Sequence, residues 1–135
     1  MNVNIQQKRP KRRGVLSMEL LLTLPIFATL LLGLFEFSLL FFARGDVVEA
    51  SRVGARQASI QGASIEDVEA AVMHSLGPRM SSRASIHAVL GDYSGDEVIV
   101  GVRVPMSSAS PNLLWPIGFN LHGRHLYCQT RMVKE

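Results

Sequence analysis

Cysteine is almost absent from this sequence: the 135 residues contain one, Cys128. This excludes an intramolecular disulfide and a zinc site built from several thiolates. The chain is too short for a large two-domain enzyme with a deep cofactor pocket. Its hydrophobic content of 47% is too high for a disordered chain. Internal repeats and low-complexity tracts are absent as well, which leaves one small domain plus one additional segment.

Acidic residues are missing from the first 14 positions, which hold five of the 14 Lys and Arg residues. Residues 15–135 carry nine basic and eleven acidic side chains, so their net charge is −2 although the whole chain carries +3. Nucleic-acid-binding domains concentrate Lys and Arg on one face. The body of this chain has no such excess, and we exclude nucleic acid as a partner. The basic residues at the front are Lys8, Arg9, Lys11, Arg12 and Arg13.

One long apolar run occupies residues 20–43. At a rise of about 1.5 Å per residue it reaches roughly 36 Å as a helix, enough to cross a membrane with some tilt. A buried core helix is disfavoured because the run has no polar face for water. A secretory signal is disfavoured because the run is too long and neither a small-x-small cleavage site nor a lipoprotein cysteine follows it. The run therefore predicts a membrane-spanning helix, with the lipid bilayer as its partner.

Helical character continues beyond this span. Residues 44–61 carry a face of small side chains, formed by Ser51, Gly54, Ala55 and Ala58. The segment 64–67 then has the pattern of a serine N-cap followed by an acidic first turn. Apolar side chains recur at helical spacing after it, at Ile65, Val68, Val72 and Leu76, until Gly77-Pro78 stops them. This pattern predicts a second, amphipathic helix.

The apolar period changes to two beyond Pro78, which predicts strands. The first strand has Ile86, Ala88 and Leu90 on one face, and the second has Val98, Val100, Val102 and Val104. Residues 91–96 have hairpin-loop chemistry, residues 105–116 form a loop rich in Ser and Pro, and residues 121–133 are expected to supply a third strand. The predicted fold class is α+β: a long N-terminal transmembrane helix that continues outside the membrane, a second short helix, and a small antiparallel sheet of about three strands.

The junction at residues 12–19, RRGVLSME, ends the basic leader in glycine and places a carboxylate five residues later. It resembles a type IV prepilin processing site. The longer segment 12–59 resembles the TadE-like family of minor pilins from tight-adherence (Flp) pilus systems. The matching features are Leu24-Pro25, Gly33 with Glu36-Phe37, and residues 51–56, while the rest of the chain resembles the family more loosely. The sequence departs from the pattern at Leu20, where an aromatic residue commonly follows the glutamate.

The resemblance implies that a prepilin peptidase cuts between Gly14 and Val15 on the cytoplasmic side. A residue without a side chain there lets the backbone approach a catalytic carboxyl pair. Glu19 lies near the edge of the bilayer, where a charge is costly unless it is paired. We expect its partner to be the Val15 ammonium of a neighbouring mature subunit. Snorkelling of Glu19 to the lipid headgroups is the simpler alternative.

Glu36 lies deeper in the span, seventeen positions after Glu19 and about 100° around the helix from it, so the two do not form an acid pair. An intramembrane carboxylate is by default a functional candidate, and we expect it to contact a partner subunit or the assembly platform. An interfacial carboxylate close to the outer headgroups is the equal alternative, because Arg44 follows eight residues later. Thr29 and Gly33 have the small-x-x-x-small spacing of close helix contacts, which is also ordinary membrane-helix composition.

Catalytic, cofactor-binding and metal-binding residues are not predicted. His122 and His125 would point to opposite faces of a strand, which disfavours a shared metal. Cys128 is better explained as a buried structural residue than as a nucleophile. The acidic residues of the 91–97 hairpin lack the ligand spacing of a calcium loop. We therefore expect that the protein is not an enzyme.

These features predict a basic prepilin-type leader at 1–14, a transmembrane and extended helix at 15–61, and a small extracytoplasmic α+β domain at 62–135. The positive front predicts a single-pass membrane protein with a cytoplasmic N-terminus, and the resemblance implies that the membrane is the bacterial inner membrane. We interpret it as a minor pilin or pseudopilin in assembly of an adhesive type IVb (Tad/Flp) pilus or its secretion apparatus, with other pilins and platform proteins as partners. The alternative is an uncleaved membrane-anchored accessory or binding domain. A tethered hydrolase is disfavoured because no nucleophile, base and orienting group are found together.

Overall fold

The computed structural model describes residues 13–135, with side chains from Ser17 onward, so most of the predicted leader lies outside the described residues. The helices are α1 (Arg13–Ser59), α2 (Ile65–Leu76), α3 (Pro78–Ser81) and α4 (Met106–Ala109), and the strands are β1 (Ser85–Val89), β2 (Glu97–Pro105) and β3 (His125–Val133). A 3₁₀ turn at Trp115–Ile117 lies between α4 and β3. The predicted α+β class is confirmed.

Helix α1 is the longest element of the structure. Its 47 residues make it about 70 Å long, and it runs through Pro25 as one helix. Large apolar side chains of its first half are exposed, whereas those facing inward from Ala43 onward are buried. Within the described residues, one segment of this helix is long and apolar enough to cross a membrane. The second half of α1 belongs to the head, which we define as residues 43–135.

Helix α2 begins where the sequence predicts. The Ser64 hydroxyl accepts a hydrogen bond from the Asp67 backbone N–H at 3.2 Å, and the Asp67 carboxylate accepts one from the Ser64 backbone N–H at 3.1 Å. The Ser64 backbone N–H foremost, and then the Ser64 hydroxyl, which also donates to this carboxylate at 2.9 Å, lower the pKa of Asp67. Val68, Val72 and Leu76 are buried, as their spacing indicates. Ile65 lies on the same face but is exposed, because it is in the first turn, at the end of that face and outside the core.

The three strands form an antiparallel meander in the order β1-β2-β3. Val100 in the centre of β2 lies opposite Ala88 of β1 and Thr130 of β3. The predicted period of two is confirmed, because the even-numbered valines of β2 from Val98 to Val104 are fully buried. The third strand is shorter than predicted and begins at His125. Residues 121–124 instead form a turn, in which the Arg124 N–H donates to the Leu121 carbonyl at 3.2 Å.

The core lies between the inner face of the sheet, the second half of α1 and helix α2. The predicted small-residue face of α1 is confirmed, since its four members are all buried there. Gly54 sits at the tightest point of this core. A Cβ at Gly54 would lie 2.5 Å from Val72 Cγ2 and 3.0 Å from Val100 Cγ1. Only a residue without a side chain therefore lets α1 pack this closely against both α2 and β2.

Candidate functional site

The first half of α1 carries an exposed apolar surface, which we define as residues 17–42. The polar side chains between Leu20 and Ala43 all have partners within the protein. The hydroxyls of Thr23, Thr29 and Ser38 donate to carbonyls three or four residues earlier in the same helix, at 2.7–3.2 Å. Hydroxyls satisfied in this way can face lipid without an unpaired polar group. From Leu20 to Phe42 this surface is therefore compatible with a hydrocarbon environment.

Glu36 is the fourth polar residue of this stretch, and it is fully buried. One carboxylate oxygen, Oε1, accepts hydrogen bonds from the Ser110 hydroxyl at 3.0 Å and the Leu113 backbone N–H at 3.1 Å. The other, Oε2, accepts from the Leu114 backbone N–H at 2.9 Å. All three donors belong to the connection between β2 and β3. Glu36 therefore ties a segment of the head to the apolar half of α1.

That segment, residues 110–121, descends from the head along α1, and we call it the descending loop. The Leu114 side chain is buried against Gly33, where a Cβ would still lie 3.8 Å from Leu114 Cδ1. The Phe37 and Phe119 rings pack with their centroids 5.5 Å apart. Gly33, Glu36 and Phe37 thus form a contact strip on α1 that receives the loop. Of the Thr29-x-x-x-Gly33 pair, Gly33 contacts a loop of the same chain.

Asn112 closes the descending loop at its base. It adopts a φ of 59°, a left-handed conformation that asparagine enters more readily than most residues. Its side-chain oxygen accepts a hydrogen bond from the Leu121 backbone N–H at 3.2 Å, and its amide nitrogen donates to Asn120 Oδ1 at 3.2 Å. These bonds join the two arms of the loop, which fixes the apolar residues between them.

The predicted processing and docking residues lie at the other end of α1. Gly14 and Val15 are in its first turn, and the exposed Glu19 follows one turn later. Glu36 is about 25 Å further along the helix, so the two carboxylates are far apart. A role for Glu36 in contacting a partner stays a prediction, and in this structure its carboxylate is occupied by the descending loop.

Candidate nucleophiles and metal ligands are not assembled into a site in the part of the chain that the structure describes. Groups of three or more His, Cys, Asp or Glu side chains placed to hold a metal are absent among residues 13–135. His122 lies outside β3, whose first residue is His125. Cys128 is half-buried, and the Ser51 hydroxyl lies 3.4 Å from its sulfur and 2.7 Å from Thr130 Oγ1. This polar cluster joins α1 to β3 and has a packing role.

The descending loop is the functional feature that the sequence reasoning missed. A detectable signal was present: residues 113–119 place Leu, Leu, Trp, Ile and Phe in a connection otherwise rich in Ser, Pro and Asn. The stretch between Arg103 and Arg124 also contains no Asp, Glu, Lys or Arg. Loops usually run over the surface and are polar, so an uncharged apolar loop indicates that something other than water meets it.

Comparison with known proteins gives one result for the long helix. Residues 14–56, about a third of the chain, match the family model described as TadE-like protein. The resemblance seen in the sequence is therefore confirmed for this segment, which is consistent with a TadE-like, pilus-associated protein. The match suggests involvement in a Tad/Flp pilus system, in a family that is structural rather than catalytic. No curated protein and no solved structure matches the chain.

Proposed function

We propose that this TadE-like chain is a minor pilin or pseudopilin that is anchored in the bacterial inner membrane and takes part in assembly of a Tad/Flp pilus. One observation carries the proposal: a single long helix has an exposed, lipid-compatible first half and a second half built rigidly into a small head. Such a helix can leave the bilayer and pack against other helices without unfolding the head. An N-terminus in the cytoplasm and a head outside it complete the proposed topology.

Processing between Gly14 and Val15 by a prepilin peptidase is the second part of the proposal. Both residues lie at the start of the described part of α1, directly after the basic leader. A residue without a side chain at position 14 lets the backbone approach the catalytic carboxyl pair of such a peptidase. Cutting there removes the basic leader and creates the Val15 ammonium at the start of the helix.

Glu19 supplies the proposed docking contact with another pilin subunit. Its side chain is exposed on α1, one turn beyond Val15, in a helix surface that is otherwise apolar. Because α1 is parallel in subunits inserted with the same topology, a small axial stagger places the ammonium of one subunit beside the Glu19 carboxylate of the next. Opposite charges attract strongly where water is scarce, so this pair would select the register of assembly.

Glu19→Gln is expected to leave cleavage unchanged and to weaken assembly. The substitution keeps the size of the side chain but removes its charge, and an unpaired ammonium in a poorly hydrated place costs about 3–5 kcal/mol when it is well buried. The measurement is co-purification of the protein with the pilus assembly partners, at equal levels of cleaved chain.

Glu49→Gln is the matched control, because Glu49 is an exposed carboxylate on the same helix but outside the apolar surface. It should co-purify with the partners as the unsubstituted chain does. Unchanged recovery of Glu19→Gln would contradict the docking role and leave snorkelling as the explanation of Glu19. Failure of the unsubstituted chain to recover any pilus component would favour the membrane-anchored accessory domain instead.

A further inference from the structure

The position of the descending loop along α1 sets its depth relative to a bilayer. This step rests on the proposed membrane anchoring of α1. A hydrocarbon core of about 30 Å is crossed by roughly 20 helical residues, so a span that starts at Leu20 ends near Leu39. Gly33 and Glu36 then lie roughly 20 and 24 Å into the core, on the outer side. The loop that packs on both residues must therefore lie within about 10 Å of the outer boundary of the core.

The side chains that face outward from the descending loop are suited to the outer part of a bilayer. Trp115 and Ile117 are 63% and 62% exposed and flank Pro116 at the tip. Tryptophan is enriched where a membrane protein meets the boundary between hydrocarbon and headgroups. Beyond Glu36, the next charged side chain of α1 is Arg44, about 12 Å further along the helix. Arg124 stacks on the Phe119 ring with 5.5 Å between its guanidinium carbon and the ring centroid.

The backbone N–H groups of the tip are a second, independent observation. Irregular backbone does not face lipid deep in the hydrocarbon core, because unpaired polar groups are costly there. Every backbone N–H from Leu113 to Phe119 has an acceptor within the protein, so only carbonyls are left for water or headgroups at the boundary of the core. Leu113 and Leu114 donate to Glu36, while Trp115, Ile117, Gly118 and Phe119 donate to carbonyls within residues 112–115 at 3.0–3.4 Å. The remaining residue, Pro116, has no N–H.

We propose that the descending loop is inserted into the outer leaflet of the bilayer, with Trp115, Pro116 and Ile117 in contact with lipid. Glu36 is the internal acceptor that makes insertion possible, because it binds the N–H groups of Leu113 and Leu114, the two between residues 113 and 119 that the loop itself does not satisfy. The loop in turn encloses the carboxylate, so that lipid does not meet a bare charge. The head is thereby held against the membrane at two places, by α1 and by the loop.

Trp115 is the only tryptophan of the chain, so its fluorescence reports on the loop tip directly. The full-length protein is reconstituted into phosphatidylcholine–phosphatidylglycerol vesicles whose acyl chains carry bromine, a contact quencher. We expect brominated lipid to reduce the emission to about half or less of its value in unbrominated vesicles, because an interfacial tryptophan touches the acyl chains. Acrylamide in the water phase should quench it weakly.

A relocated tryptophan serves as the matched control. Tyr93 is 77% exposed in the β1–β2 turn. This turn is joined through Lys134 and Glu135 to Ser59, at the far end of α1 and about 35 Å beyond Glu36. In the double variant Trp115→Phe, Tyr93→Trp we expect strong acrylamide quenching and no effect of brominated lipid.

The outcomes separate insertion from anchoring, because flotation of the vesicles on a density gradient measures anchoring alone. If the chain floats but Trp115 is quenched by acrylamide and not by bromine, the loop lies in water and the proposal is overturned while the anchor stands. If Trp115 is shielded from both quenchers, a protein surface covers the tip and insertion is equally overturned. A chain that does not float contradicts the anchor, and insertion with it.

Discussion

Glu36→Gln is expected to release the descending loop from α1 while the rest of the head stays folded. The glutamine oxygen can replace only one carboxylate oxygen, so its NH₂ group must face a backbone N–H or the Ser110 hydroxyl across a distance set for a hydrogen bond. Hydrogen bonds to a charged acceptor contribute about 1.5–3 kcal/mol each, and a buried donor left without an acceptor costs about 1–3 kcal/mol. The loop should therefore lose roughly 2–4 kcal/mol of stability.

Hydrogen exchange of the full-length protein in detergent or vesicles measures this effect. The amides of Leu113 and Leu114 should lose protection by a factor of 30 or more, taking about 1.4 kcal/mol per tenfold change. Protection in β2 should be unchanged. Glu19→Gln is the matched control, because it makes the same substitution on the same helix at an exposed side chain. Equal protection of the loop in the two variants would contradict the anchoring role of Glu36.

Gly54→Ala is expected to destabilise the head strongly. The new methyl group would lie 2.5 Å from Val72 Cγ2 and 3.0 Å from Val100 Cγ1, and both valines are fully buried and short, so neither can swing away. Overpacking of this kind costs about 1–3 kcal/mol, and it outweighs the gain of up to about 1 kcal/mol that replacing glycine brings within a helix. Urea unfolding of the detergent-solubilised protein measures the change.

Gly45→Ala is the control that measures the effect of replacing a helical glycine without overpacking. Gly45 is also in α1, and a Cβ there would meet nothing within 4 Å. Its replacement should stabilise the protein by up to about 1 kcal/mol, because alanine lowers the entropy of the unfolded chain. The free energy of unfolding should therefore fall in Gly54→Ala and rise in Gly45→Ala. Stabilisation by both would show that the head relaxes at Gly54 and that the close approach of α1 is not required.

Local patterns in the sequence were enough for the parts of the fold that depend on local physics. Ser64 and Asp67 are three residues apart and close their capping box without help from the rest of the chain. The period of two in β2 predicts that its even-numbered valines lie on the buried face of the strand. The predicted third strand is too long because it begins at Leu121, which is apolar. In the structure Leu121 is fully buried at the base of a turn, and an apolar period does not distinguish that position from the start of a strand.

Contacts between distant segments account for what the sequence could not predict. The motif at residues 14–19 and the apolar run predict a TadE-like segment, and a helix long and apolar enough to cross a membrane, from neighbouring residues alone. Glu36 could be recognised as a functional candidate from its apolar surroundings, but its donors lie 74–78 residues later in the chain. Nothing in the spacing of residues 110–114 indicates which side chain they meet. A long-range contact of this kind needs the packed structure.

The mass of the mature chain tests the central claim, that this is a cleaved, pilin-like membrane protein. The protein is extracted from the membranes of a host with an active prepilin peptidase and its intact mass is determined, together with that of Gly14→Leu. A side chain at position 14 should crowd the backbone that enters the peptidase and prevent the cut. We predict a chain of residues 15–135 from the unsubstituted protein and the uncut chain from Gly14→Leu; an intact leader on both would contradict the pilin assignment and favour the uncleaved anchor.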